Sequence, residues 1–406
     1  MNRVVITGIG CVSPFGYGVP ALWSGLAQPR SAIAPVPWLE NEQVAYRNGG
    51  AWADYQPQNH FANSRQALLD RASQFALLAC QEAIEHTGHP AAGIRPNRVG
   101  VYIGTAVGGS DTLSQAYQEL LVSDYPVISP LTVPKAMANA AASQISLQYG
   151  LRGPSLTIAT ACASSTQAVG EAFRLLQNGG ADAMIAGGTD ACLNPLTWKA
   201  WEAIRAMAPD TCRPFSQGRS GMVLGEGAGI LVLETLEHAL LRGARILAEI
   251  AGYGSNCDAV DLVKPSVEGA AQAMRDALAD ARLTPADIQY INAHGTGTVL
   301  NDKVETAAVK AVFAEHARKI AISSVKSSIG HLMGAAGAVE LIGGLMAFEQ
   351  NTLPPTLNYL GPAEDCDLDY VPNRPRHCQV DAWLKNSFAF GGLNVSLALK
   401  RYEASA

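Results

Sequence analysis

The sequence predicts an α/β protein built from two duplicated halves, and three observations carry that expectation. Short runs rich in β-branched residues alternate with alanine-rich stretches along the 406 residues, as strands and helices do when they share one buried sheet. One strand, turn and helix passage returns in altered form, with SLTIATACASSTQAVGEAFRLL (155–176) echoed by KIAISSVKSSIGHLMGAAGAVELI (319–342). Length alone suggests two to three domains of roughly 150 residues. No Pro/Ser-rich linker or block of charge parts the chain, so two intimately packed halves are expected, 1–245 and 246–406, meeting near Arg245.

In order, VVITGI (4–9) reads as the first strand, because its apolar run is broken by glycines and lacks the core and cleavage site of a signal peptide. RASQFALLACQEAIEHTG (71–88) reads as an alanine-rich helix, and GVYIGT (100–105), LTIAT (156–160), AMIAGG (183–188) and GILVLE (229–234) as strands. After LTIAT, the stretch ASSTQAVGEAFRLLQN forms a helix that Gly179 and Gly180 end. A second series of strands begins with ILAEIAGYG (246–254) and continues through IQYINA, IAISSV and VSLALK. Between them, Thr284-Pro285-Ala286-Asp287 has the form of a helix start: an N-cap, proline at the first helical position and an acid in the first turn.

Hydrophobic residues make up 48% of the chain and charged ones 16%, against roughly 25% charged in an ordinary globular protein. A large core, or a large subunit interface, follows. The net charge of -6 and the lack of any Lys/Arg run disfavour nucleic acid and anionic lipid as partners. The best candidate for a membrane span, AAGAVELIGGLMAF, is short and carries Glu340, whereas a span needs roughly 18 apolar residues. Eight cysteines without CxxC or Cys/His ligand spacing argue against a metal site or a disulfide framework, and place the chain in a reducing cytoplasm. GIGCVS (8–13) lacks the third glycine and the following acid of a dinucleotide loop, so no nucleotide cofactor is expected. GTAVGG (104–109) and GEGAG (225–229) read as close packing.

The chemistry centres on TACASS (160–165), where Cys162 stands between a strand and a helix. Oriented N–H groups at a helix N-terminus favour a thiolate and offer donors to an oxyanion, although a cysteine in such a place is also often a small buried apolar residue. His294 in NAHGTGTVLND (292–302) and His331 in SSVKSSIGHLMGAAG (323–337) each follow a strand in a small-residue turn. Alone, each reads as a turn or capping histidine. Together with Cys162 they supply a nucleophile and two imidazole donors for thioester chemistry. Lys326, in a largely apolar stretch, calls for a partner such as Glu340, unless it is a solvated lysine at a helix start. Phe388 and Phe390 flank the turn of NSFAFGGLN (386–394), where they either pack the core or gate a pocket.

The ordered set VVITGIGCVSPFG, GPSLTIATACASS, GEGAG, NAHGTGTVLND, KSSIGHLMGAAGAVE and NSFAFGGLN resembles, nearly end to end, the ketosynthase family of the thiolase superfamily, especially the beta-ketoacyl-acyl carrier protein synthase II type. The resemblance implies a thiolase-like five-layered αβαβα fold, a dimer, and condensation of acyl and malonyl thioesters borne by an acyl carrier protein. It implies that Cys162 takes the acyl group, with the amides of Cys162 and Phe390 as oxyanion hole, and that His294 and His331 support malonyl decarboxylation. Lys326 and Glu340 would be a structural ion pair, Thr296 and Thr298 would bind the phosphopantetheine arm, Phe390 would gate, and Val107 would lie at the acyl pocket's end. The carrier's phosphopantetheine is then the one prosthetic group, and no metal or redox cofactor is needed.

Two departures stand out: Ala389 and Leu393 replace the first glycine and the threonine of the family's GFGGTN loop. Arg65, Arg71 and Arg205 are the candidate basic contacts for the carrier, a sparse set that points to a dedicated carrier or a partner subunit, as in specialised polyketide or aryl polyene pathways. A chain-length-factor-like subunit, which would pair with a ketosynthase as a heterodimer, lacks the active cysteine. A thiolase would need a second catalytic cysteine, and Cys366 and Cys378 lie in no glycine-rich motif.

Overall fold

Ten strands form the main path of the central sheet. The computed structural model describes residues 1–40 and 42–403. The first five strands are β1 (Val4–Ser13), β2 (Val99–Gly104), β3 (Ser155–Ile158), β4 (Ala183–Asp190) and β5 (Gly227–Thr235), and the second five are β6 (Ala248–Cys257), β7 (Tyr290–Asn292), β8 (Ala321–Ser323), β9 (Ala382–Ala389) and β10 (Leu393–Lys400). Their order across the sheet is β8-β7-β9-β10-β6-β1-β5-β4-β2-β3. Each five thus repeats one scheme: its second strand is parallel to its third and fourth, the fourth antiparallel to the fifth, and the fifth antiparallel to the first. The duplication expected from one echoed passage therefore extends through the whole topology. The two fives also fuse, because Val4–Ile6 pairs antiparallel with Ala248–Ile250.

Helices fill three layers around this sheet. Those of at least ten residues are α1 (Arg71–Thr87), α2 (Ser110–Val122), α3 (Ala140–Tyr149), α4 (Ser164–Gln177), α5 (Pro195–Ile204), α6 (Val267–Ala281), α7 (Val299–Phe313) and α8 (Ala336–Gln350). Helices α1 and α3 cover the outer face of the first five strands, α6 that of the second with α7 packed beside it, and α4 and α8 lie between, touching strands of both. This is the αβαβα layering that the sequence resemblance implies. The central position of α8 explains its composition: AGAVELIGGLMAF is buried almost all round, as a helix with apolar neighbours on every side must be.

The outer helices lie close to the sheet at matching glycines. A Cβ on Gly10 of β1 would stand 2.2 Å from the carbonyl oxygen of Ala79 in α1, and one on Gly252 of β6 would stand 2.2 Å from that of Ala277 in α6. Both positions tolerate only hydrogen unless helix and sheet separate. We expect Gly10→Ala to destabilise the protein by about 1–3 kcal/mol through overpacking, seen as a lowered Tm in a thermal melt; an unchanged Tm would mean that the helix shifts freely.

Two local expectations need correction. The helix after Cys162 begins at Ser164, and the cysteine itself lies in a 3-10 turn, Ala161–Ala163. Thr284-Pro285-Ala286-Asp287 starts no α-helix: it forms one 3-10 turn, Pro285–Asp287, closed by a capping box in which the Thr284 N–H donates to Asp287 at 2.7 Å. The chain must enter β7 by Tyr290, which leaves no length for a longer helix. At the end of α4, Gly179 at φ 75° and Gly180 donate their N–H groups to Leu176 and Leu175, closing the helix where the glycine pair predicts. The outer edge strand β3 exposes Leu156, and α2 with the loop after it carries Tyr117, Leu121, Val122, Tyr125 and Val127 exposed.

Candidate active site

The nucleophile candidate is presented by a strained turn. Ala161 takes a left-handed backbone, φ 49°, which costs energy for a residue with a Cβ. Ser164 holds the turn in place: its Oγ accepts the Thr160 N–H at 2.9 Å and donates to the carbonyl of Ala161 at 2.7 Å. The second half repeats the device. A 3-10 turn, Met333–Ala335, precedes α8, and Met333 also has φ 49°. Gly334 stands there where Cys162 stands in the first half. A Cβ at Gly334 would meet the Ala106 nitrogen at 2.4 Å and the Asp190 carboxylate at 2.5 Å, and that carboxylate accepts the Gly334 N–H at 2.6 Å.

Cys162 is only 9% exposed. Burial pushes its thiol up to about 12, with the Lys326 ammonium opposing that rise and Asp190 adding to it. The resting side chain is therefore a thiol, not the thiolate that its place beside a helix N-terminus suggests, because desolvation outweighs the oriented amides.

His294 follows β7, and its backbone is fixed by a buried carboxylate of α7. Glu305 accepts the N–H of His294 and that of Gly295, both at 2.8 Å. The rings of His294 and His331 lie 5.5 Å apart at 82°, and Phe388 packs edge-on against His294 at 6.2 Å. His331 Nδ1 accepts the Met333 N–H at 3.2 Å, so the proton of the neutral ring sits on Nε2. That Nε2, like Nδ1 of His294, is buried without a partner among the described residues. Both imidazoles are held well below the usual histidine range, first by burial and then by the Lys326 ammonium. At neutral pH they are uncharged.

Lys326 and Glu340 form the ion pair that the sequence suggests, Nζ to Oε1 at 2.5 Å, and Nζ also donates to the carbonyl of His294 at 2.5 Å. A second buried lysine, Lys385 of β9, reaches Oε2 of the same carboxylate at 2.8 Å. Sequence reading missed it, together with Glu305 and Asp190. The available signal was a lysine directly after the apolar run AWL in the strand AWLKNSFA.

Cys162, His294 and His331 line one cavity of about 310 Å³, with Thr296, Thr298, Phe388, Ala389 and Phe390 on its walls and Trp201, Ile204, Arg205 and Leu300 among its further lining residues. The hydroxyls of Thr296 and Thr298 share a hydrogen bond of 2.8 Å. Phe390 stacks on Trp201 at 5.9 Å and 27°. It tops the β9–β10 hairpin, where Gly391 and Gly392 have φ of 85° and 71°, values that side chains rarely adopt.

Three sequence candidates lie elsewhere. Val107 is 42% exposed and does not line this cavity; its N–H faces Asp190 at 3.3 Å. Arg71 is no docking residue: its guanidinium clasps Glu226 of the GEGAG stretch at 2.6 and 2.9 Å and lies over the rings of Tyr55 and Phe75. Arg65 is half-buried and reaches Gln148 at 3.3 Å, which leaves Arg205 as the arginine that lines the cavity.

Residues 1–239 match the family model of the beta-ketoacyl synthase N-terminal domain, and residues 247–360 that of its C-terminal domain. The chain is 45% identical to nodulation protein E of Rhizobium meliloti, over 98% of this chain and 99% of that protein. It is 41% identical to the 3-oxoacyl-[acyl-carrier-protein] synthase 2 of Synechocystis, over 99% of each. Among solved structures, the AntDE:AntF complex, a type II PKS acyl-carrier protein with its ketosynthase, superposes with a TM-score of 0.91 at 32% identity, covering 99% of this chain and 100% of that one.

Proposed function

The chain belongs to the beta-ketoacyl synthase family and is of the beta-ketoacyl-ACP synthase II type, and from that premise we propose how its own residues carry out decarboxylative condensation. The observation that carries the reading is the meeting of Cys162, His294 and His331 in one cavity.

In the first half-reaction the Cys162 sulfur attacks the carbonyl of an acyl thioester, the carbonyl electrons collapse back, and the carrier's thiol leaves with the proton that Cys162 gives up. A thiol raised to about 12 needs a base at that moment, and neutral His294 lines the same cavity. In the second, a malonyl thioester loses carbon dioxide, and the electron pair of the broken C–C bond moves onto the thioester oxygen as an enolate. His331 meets that oxygen with its Nε2 proton, the donor that Met333 fixes. The enolate carbon then attacks the Cys162 thioester, the sulfur leaves as a thiolate and takes up one proton delivered from water by way of His294, and a 3-keto chain two carbons longer departs on the carrier. Every charge is handled by these side chains, so the step calls for no metal or redox group.

Thr296 and Thr298 hold the carrier's phosphopantetheine arm, and Arg205 meets the carrier surface. The exposed edge strand β3 and the apolar belt of α2 fit a subunit interface, either with a second copy or with a chain-length-factor-like partner. Among the described residues no helix is long and apolar enough to cross a membrane, and the buried free thiols suit a reducing cytoplasm.

Intact mass after mixing the protein with a panel of acyl-carrier proteins, without malonyl donor, tests the reading: one acyl group on Cys162 supports it, and none from any carrier, with the partner subunit supplied, overturns it. At the gate, Ala389→Gly is expected to change turnover about threefold by freeing the hairpin; identical steady-state kinetics would make the alanine neutral.

A further inference from the structure

Strand β9 runs AWLKNSFA and is buried from Ala382 to Phe388. Lys385 sits in its middle, wholly enclosed. Its Nζ donates to the carbonyl of Asn386 at 2.5 Å and pairs with Glu340 Oε2 at 2.8 Å. Glu340 already holds Lys326 on its other oxygen. Burying an ammonium is costly, and a carboxylate that has one partner gains less from a second. A hydrophobic side chain of the same length would fill the strand position without that cost, so the charge itself calls for an explanation.

The groups around it supply one. Lys326 comes from the turn after β8, Glu340 from α8, Glu305 from α7, His294 from the turn after β7 and His331 from the turn before α8, with Cys162 and Asp190 belonging to the first half. Two ammonium groups thus share Glu340, and Glu305 and both histidines feel the charge of each.

We infer that Lys385 is a positioning residue of the condensing site: held on Glu340 beside Lys326, its ammonium sets a second positive charge behind the imidazoles of His294 and His331. This rests on the condensing reading given above. The charge keeps the rings neutral and able to donate, and it favours the negative oxygen that forms when a malonyl group loses carbon dioxide. Lys385 is among the groups that depress both histidines, after burial and Lys326. The sign follows: without this charge each imidazolium becomes easier to form, so neutral donors are lost sooner as pH falls, and the acid limb of the rate moves upward.

The test measures carbon dioxide release from malonyl-pantetheine between pH 4.5 and 8.5 by the full-length wild type, Lys385→Met and Lys385→Arg. Lys385→Met is expected to raise the acid limb by about one pH unit, the size of one charge acting through an effective dielectric of about 20. Lys385→Arg, which keeps the charge, should hold the wild-type limb. A folded Lys385→Met that loses rate equally at all pH values, or none at all, overturns the proposal. Lys385→Gln stands in if the methionine variant does not fold, and failure of both to fold while the arginine variant folds assigns Lys385 to stability alone and likewise overturns it. A wild type that releases no carbon dioxide fails the condensing reading instead. In that case histidine titration by NMR, with ring-labelled wild type and variants, decides Lys385 separately: raised values for both rings without the charge support it, and unchanged values refute it.

Discussion

Cys162→Ala is expected to abolish condensation, by at least about a thousandfold, while carbon dioxide is still released from a malonyl thioester. The separation follows from where the parts stand. The sulfur that must carry the acyl chain comes from the turn before α4, whereas the imidazoles that meet the enolate come from the other half, held by Glu305 and by the N–H of Met333. Alanine at 162 removes the electrophile's anchor and leaves those imidazoles in place. The measurement pairs product analysis with carbon dioxide release on one purified variant. Continued formation of a 3-keto product would remove Cys162 from the nucleophile's role. Loss of both activities in a folded variant would mean that the thiol also orients the malonyl group.

His331→Ala is expected to slow malonyl decarboxylation by about a hundredfold to a thousandfold, the usual loss when one donor to a developing oxyanion is removed. His294→Ala should cost decarboxylation too, and should in addition slow acyl transfer to Cys162, because its neutral ring is the base available to a protonated thiol. The two variants are therefore distinguishable: the rate of acyl adduct formation on Cys162 falls in the His294 variant and holds in the His331 variant. Wild-type carbon dioxide release by both would sink the assignment of either ring to the enolate. Since both histidines lie well below their usual range, the wild-type rate should stay flat as pH falls through 6.5 and drop only below it.

Much of this was legible in the sequence because it is local. A cysteine or histidine placed directly after a β-branched run and before small residues must lie at a sheet's end, and three such passages in a duplicated chain converge. The Lys326–Glu340 pair was readable for a similar reason, as a lysine in an apolar stretch needs a carboxylate. What depended on enclosure was not readable. The ionisation of Cys162 is set by atoms from both halves, and six residues around it contain no measure of how completely they exclude water. Nothing near Lys385 in the sequence shows its enclosure, which comes from the place of β9 between β7 and β10. Arg71 passed for a surface cation because Glu226, its partner, is 155 residues away. The fusion of the two sheets rests on three residue pairs at the edge of β1, a register that no run of apolar residues announces.

The turn at Gly334 sets a limit on stoichiometry. The duplicated architecture offers two equivalent seats for a nucleophile, yet the second is filled by the Asp190 carboxylate and has no room for even a methyl group. Each polypeptide can therefore be loaded once. A substrate-like covalent inhibitor directed to the cavity should titrate to one equivalent per chain and stop.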